Sequence, residues 1–217
     1  YKQIGKIPIY TTSFTASVLK RKFSSSNITD YDLRLLNYNK DTKVGKFKVE
    51  ILSLTHSIPE PNGIVLKTDA GTIFHTGDWK IDPKPLIGEP INEKKFEKIK
   101  NLGIDAIICD STNVFNDTPS GSEEEVRDAL KKIFKERRNG KIVITCFASN
   151  IARLETIIKV SNQFDRSCVF LGRSLHRIYE SAIENNFLYD LKNIVDEKDG
   201  KHIPDENLVL ITTGSQG

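Results

Sequence analysis

The sequence predicts an α/β fold in two parts, and three observations carry that prediction. In the first half, apolar and β-branched runs at 48–54, 63–68 and 72–76 follow one another, with the tight turn Asp69-Ala70-Gly71 between the last two. Such a chain goes up, down and up again. From about residue 104 onward, strand-like runs alternate with helical stretches, the pattern of a parallel sheet flanked by helices. The third observation is that strand ends are short, polar and rich in hydroxyl or amide groups: DSTN (110–113), ASN (148–150), GRS (172–174) and TGSQG (213–217). Open α/β sheets bind their ligands at such carboxyl ends.

Taken in order, residues 7–10 form a short strand, and SFTASVLKRKF (13–23) is a helical stretch ending in basic residues. Strands at 33–38 and 47–54 flank KDTKVGK (40–46), which reads as a polar turn. The segment from Asp82 to Pro90, with Pro83 and Pro85 inside it, cannot be a regular element and is a surface loop. A charged helix spans 93–102. The nearly continuous apolar run IDAIIC (104–109) is expected of a strand covered on both faces. The polar stretch FNDTPSGS (115–122) then suits a boundary near residue 118, giving domains 1–118 and 119–217.

The next helix is marked by a capping box, Ser122 with Glu125, and by acidic Glu123 and Glu124 at the positive end of its dipole. Val126, Ala129, Leu130, Ile133 and Phe134 give it an apolar face, and Gly140 can end it. Three strand-then-loop units follow. KIVITCF (141–147) leads into ASN and a helix to about 160, SCVFLG (167–172) into Arg173-Ser174 and a helix to about 186, and NLVLIT (207–212) into TGSQG.

Bulk properties narrow the class. Hydrophobic residues at 38% and charged residues at 28% describe an ordinary soluble chain with material for a core. A net charge of +3 is too small to establish a nucleic-acid partner, so any basic footprint is local. No apolar run approaches the ~18 residues of a membrane span, and no signal-peptide pattern opens the chain. Cys109, Cys146 and Cys168 sit in apolar runs without CxxC spacing, which favours a reducing cytoplasm. The abrupt start at Tyr1 and the end at a strand-then-loop lead to the expectation of a piece of a longer protein.

Two sets of residues stand out. His56 ends the first upward strand and Asp78 follows the second, so both belong at one rim of a sheet. An imidazole and a carboxylate there could ligate a hydrolytic metal, and a solvated His beside a capping Asp would give the same pattern. In the second half, free N–H groups at helix starts, helped by Ser149 and Asn150 and by the cations Arg153 and Arg173, suit a phosphate. Simple helix capping by Ser and Asn has the same signature. Strand alternation should turn His75 away from Phe74; His176 and His202 are weaker metal candidates, and Trp79 is a packing residue beside Asp78.

Taken together, THSIP (55–59), HTGDWK (75–80), DSTN, FASN (147–150), GRS and TGSQG resemble ribonuclease J across essentially the whole chain. That family belongs to the metallo-β-lactamase superfamily and carries a β-CASP nucleic-acid domain. The resemblance implies part of a metallo-β-lactamase αββα sandwich over 1–118, then a β-CASP domain over 119–217. It implies that His56 is a zinc ligand and Asp78 the carboxylate bridging two zinc ions, both serving catalysis. Asp110 would be the acidic residue of the first β-CASP motif, orienting a metal-binding histidine. Ala148, Ser149 and Asn150 would contact RNA; Ser215 extends that contact by its chemistry.

The implied activity is hydrolysis of single-stranded RNA, 5′-to-3′ with some endonucleolytic cutting, by a homodimer or homotetramer in the cytoplasm. The family's His-x-His-x-Asp-His motif is absent and would lie before Tyr1, and later β-CASP histidines would lie after Gly217. Two ligands cannot hold a pair of zinc ions, so the isolated stretch is expected to be inactive. Two other readings stay open: an RNA-binding β-CASP protein without its metal site, and a DNA nuclease of the same fold.

Overall fold

The computed structural model describes residues 1–217 except 2, 39, 83, 89, 90, 92, 190 and 215–217, with the backbone alone at 93 and 95. The chain divides into two compact units, Tyr1–His56 with Glu60–Gly121, and Ser57–Pro59 with Ser122–Gly217. No helix among the described residues is long and apolar enough to cross a membrane.

In the first unit, β1 (Pro8–Thr11) leads through α1 (Ser13–Ser25) to β2 (Asp32–Leu35), and the two strands pair in parallel as a separate ribbon. A five-stranded sheet follows, ordered β3 (Thr42–Val44), β4 (Phe47–Ser53), β5 (Asn62–Thr68), β6 (Gly71–His75), β7 (Ala106–Ile108). The first four run antiparallel, while β7 joins β6 in parallel. A parallel neighbour needs a crossover, and α2 (Glu93–Lys100) lies within that connection. Leu52, Val65 and Phe74 form a core cluster from three adjacent strands, packed by Ile99, Leu102 and Ile104. Gly63 leaves room for this packing, since a Cβ there would meet the Phe74 ring at 2.8 Å.

Several expectations change. The strand expected over 33–38 covers Asp32–Leu35 and pairs with β1. The stretch read as a polar turn contains β3, whose hairpin with β4 closes through Gly45-Lys46; three residues with a central lysine give no strand signal. Nor is the apolar run before Asp110 covered on both faces. β7 is the edge strand, with Ile107 64% and Ile108 52% exposed. An apolar run records a need for burial, and within the described residues β7 has a neighbouring strand on one side only.

The second unit starts with α3 (Glu123–Glu136), whose capping box is formed: Ser122 accepts from the Glu125 N–H, and the Glu125 carboxylate accepts from the Ser122 N–H. There follow β8 (Ile142–Thr145), α4 (Ile151–Gln163), β9 (Ser167–Leu171), α5 (Arg173–Glu184), β10 (Ile194–Val195), α6 (Glu197–Gly200), a 3-10 turn (Asp205–Asn207) and β11 (Leu208–Thr212). The sheet is parallel throughout, ordered β10-β9-β11-β8, as the alternation of strands and helices predicts. β10 and α6, at two and four residues, are too short to show a period in the sequence.

Ile151, Leu154, Ile157, Ile158 and Val160 of α4 and Cys168–Phe170 of β9 are buried. Fully burying each large aliphatic side chain contributes roughly 1.5–3 kcal/mol. Arg166, only 2% exposed, lies at the end of α3. Its guanidinium donates to the carbonyls of Arg137, Arg138 and Gly140 at 2.9–3.0 Å and sits 6.0 Å from the Phe134 ring centroid. Of the three cysteines, all free, Cys168 alone is buried; Cys146 is half-buried and Cys109 exposed. Their apolar runs end before full cover is reached at the latter two.

Candidate active site

The first candidate site is built from three strand ends. β4, β6 and β7 point the same way, so the residues following them share a rim of the sheet. An antiparallel bridge pairs Thr55 with Lys80, and the Lys80 N–H donates to the Thr55 carbonyl at 2.9 Å. The Thr55 hydroxyl, almost wholly buried, donates to the Lys80 carbonyl and accepts from the Asp82 N–H at 3.2 Å. Asp82 is buried in turn, with Lys80 as its ion-pair partner at 3.4 Å. This buckle joins the segments after β4 and β6. It places His56 and Asp78 in the two bridged segments beyond β4 and β6, one residue after Thr55 and two before Lys80.

Asp78 follows Gly77, whose φ of +62° lies in the left-handed region, and a Cβ there would approach the Asn62 carbonyl to 3.0 Å. The turn therefore requires glycine. His75 points outward as alternation demands, and its Nδ1 accepts from the Gly77 N–H at 2.9 Å. That bond assigns the proton of a neutral His75 to Nε2.

Asp110 completes the rim. Its N–H donates to the Thr76 hydroxyl at 3.1 Å, and its carboxylate accepts from the Thr112 N–H at 2.9 Å and from the Thr112 hydroxyl. The Thr112 hydroxyl is the main cause holding the Asp110 carboxyl below its usual value. The Thr112 N–H, the Trp79 N–H and the charge of His56 act in the same direction against partial desolvation. Asp110 is therefore within range of the His56 charge and of the N–H of Trp79, the residue that follows Asp78.

Donor chemistry at this rim, an imidazole with a carboxylate, suits zinc. The number of donors falls short, because among the described residues no group of three or more His, Cys, Asp or Glu could hold a metal ion. His176 instead lies edge-on to the Phe170 ring at 5.5 Å, and His202 is exposed.

The second site is the carboxyl rim of the parallel sheet. Thr145, Thr212 and Leu171 are register partners, so the loops after β8, β11 and β9 leave the sheet at one level with that of β11 in the middle. Asn150 caps α4, its Oδ1 accepting from the Arg153 N–H at 2.9 Å. Ser149 is exposed and Ala148 half-buried. Arg153 is not a free cation: its Nε and Nη2 donate to Glu123 at 3.0 and 3.1 Å. Arg173 opens α5 exposed and without an ion pair among the described residues. Ser215 lies outside the described residues. Glu123 was legible only as an acid in a first helical turn, and nothing in the sequence signals its partner thirty residues away.

Residues 139–217 match the family described as ribonuclease J, β-CASP domain. They are a β-CASP domain of the ribonuclease J type. Beyond it, nearly the whole chain is similar to ribonuclease J proteins. It is 36% identical to that of Sinorhizobium meliloti, 32% to that of Mycolicibacterium smegmatis and 30% to that of Thermus thermophilus, in each case over 97% of this chain. The chain spans 37–38% of the length of these ribonuclease J relatives. Among solved structures, a protein of unknown function from Enterococcus faecalis matches over 97% of this chain and 54% of its own, with a TM-score of 0.66 at 16% identity. That likeness speaks for the α/β fold alone.

Proposed function

We propose that this chain is part of a metal-dependent ribonuclease that hydrolyses phosphodiester bonds of single-stranded RNA. The observation that supports it best is the convergence of His56, Asp78 and Asp110 on one sheet rim, held by the Thr55–Lys80 buckle. His56 and Asp78 supply two ligands of the centre, and Asp110 orients its surroundings as an ionised acceptor. Zinc held there would polarise the phosphate and acidify a water molecule. The strand-end loops of the β-CASP domain present N–H and hydroxyl groups to successive phosphates, with Ser149 and Arg173 as exposed contacts. Cleavage from a 5′ end with some internal cutting, a homo-oligomeric state and a cytoplasmic location complete the reading by similarity to ribonuclease J.

The test uses the full-length protein. Asp78→Asn removes a carboxylate charge while keeping its shape, and it should abolish RNA cleavage without changing the melting temperature by more than a degree or two. Full cleavage by that variant would remove Asp78 from the centre. A second reading, an RNA-binding protein without catalysis, keeps the strand-end loops and dispenses with the zinc. Metal analysis of the full-length protein separates the two, because the second reading requires RNA binding with no bound metal.

A further inference from the structure

Glu123 is an acid where a nucleic-acid surface should be basic, and its surroundings show why it is there. It is the first residue of α3, its side chain is only 8% exposed, and it bridges to the start of α4. Its two carboxylate oxygens accept from Nε and Nη2 of Arg153 at 3.0 and 3.1 Å, a two-point contact along one edge of the guanidinium. Oε1 also lies 3.4 Å from the donating Asn150 side-chain amide. Asn150 Oδ1 in turn accepts from the Arg153 N–H at 2.9 Å. The Glu123 and Asn150 side chains, with the side chain and main-chain N–H of Arg153, thus close a ring of hydrogen bonds at the start of α4.

The opposite edge of the guanidinium is different. Among the described residues Nη1 of Arg153 has no acceptor, and the side chain is 28% exposed. The pair also faces the end of β8: both Arg153 and Glu123 act on the Cys146 thiol, which burial pushes up. A fixed guanidinium with one edge held by a carboxylate and the other edge open is arranged to grip a phosphate without losing rotamer freedom on binding.

We propose that Glu123 is a positioning residue that holds Arg153 and Asn150 so that the open edge of Arg153 receives an RNA phosphate beside the Ala148–Asn150 loop. The inference rests on the reading of this rim as an RNA contact, and it adds to it the reason for a buried acid there. It also sets a sign: the carboxylate aids binding by ordering Arg153, although its charge alone opposes RNA.

The experiment is a double-mutant cycle in the full-length protein, with a short single-stranded RNA as probe and affinity measured against salt. Arg153→Ala should weaken binding about tenfold, the loss of one charged hydrogen-bonded contact. It should also lower the salt slope by ~0.7, one phosphate on a single strand. Glu123→Gln, which keeps the shape and one acceptor, should weaken binding several-fold in the parent protein and not at all in the Arg153→Ala background.

Tighter binding by Glu123→Gln would show that the acid competes with phosphate and would overturn the proposal. Unchanged binding at a lowered melting temperature would make Glu123 a fold residue only, and would overturn it equally. If Arg153→Ala binds as the parent does, this rim is not gripping phosphate and the inference falls with it. If the parent binds no RNA, the functional reading itself has failed, and that result is distinct from the others.

Discussion

Asp110 shows how much one side chain can reveal about its neighbours. Hydroxyl and N–H donors, together with a nearby imidazole, favour its charged form, so its folded pKa lies below the ordinary 3.8. A carboxylate with a depressed pKa stabilises the fold above its unfolded value, and that contribution fades as pH falls through the folded value. Asp110→Asn should therefore melt below the parent at neutral pH, and the difference should shrink below pH ~4. A gap that stays constant through the acid range would mean that Asp110 is not held by these donors. Asp78 differs in being exposed at its strand end.

At the scale of elements, the parallel sheet and its helices were legible because each has a period of its own: β8, β9 and β11 as apolar runs, α3 through its capping box and apolar face. The rim at His56 was legible as well, since up-down-up order fixes which strand ends share an edge. What the sequence hid were contacts between distant residues. The Thr55–Asp82 buckle, the Glu123–Arg153 pair and Arg166 beneath the end of α3 all join segments whose spacing carries no signal. β7 misled for a related reason: its apolar run tells that cover is needed, not where cover comes from.

Arg166 gives this scale its own prediction. α3 ends with carbonyls that have no partner within the helix, and the Arg166 guanidinium supplies donors to three carbonyls of this turn and its exit. Arg166→Met would keep much of the volume and leave those part-buried carbonyls without their charged donor. A loss of about 3 kcal/mol in urea unfolding is expected, with Arg166→Lys recovering only part because an ammonium cannot span the same fork. A loss under about 1 kcal/mol would show that water replaces the guanidinium at little cost.

For the whole molecule, the chain supplies a β-CASP domain and a sheet rim that carries an imidazole and two carboxylates, over somewhat more than a third of the length of its ribonuclease J relatives. The central claim is that this rim is half of a metal centre. Anomalous diffraction at the zinc edge from crystals of the full-length protein tests it most directly. A zinc ion with a His56 ring nitrogen and an Asp78 oxygen at about 2.0–2.2 Å is the predicted result. Zinc bound elsewhere, with both side chains left in solvent, would contradict it.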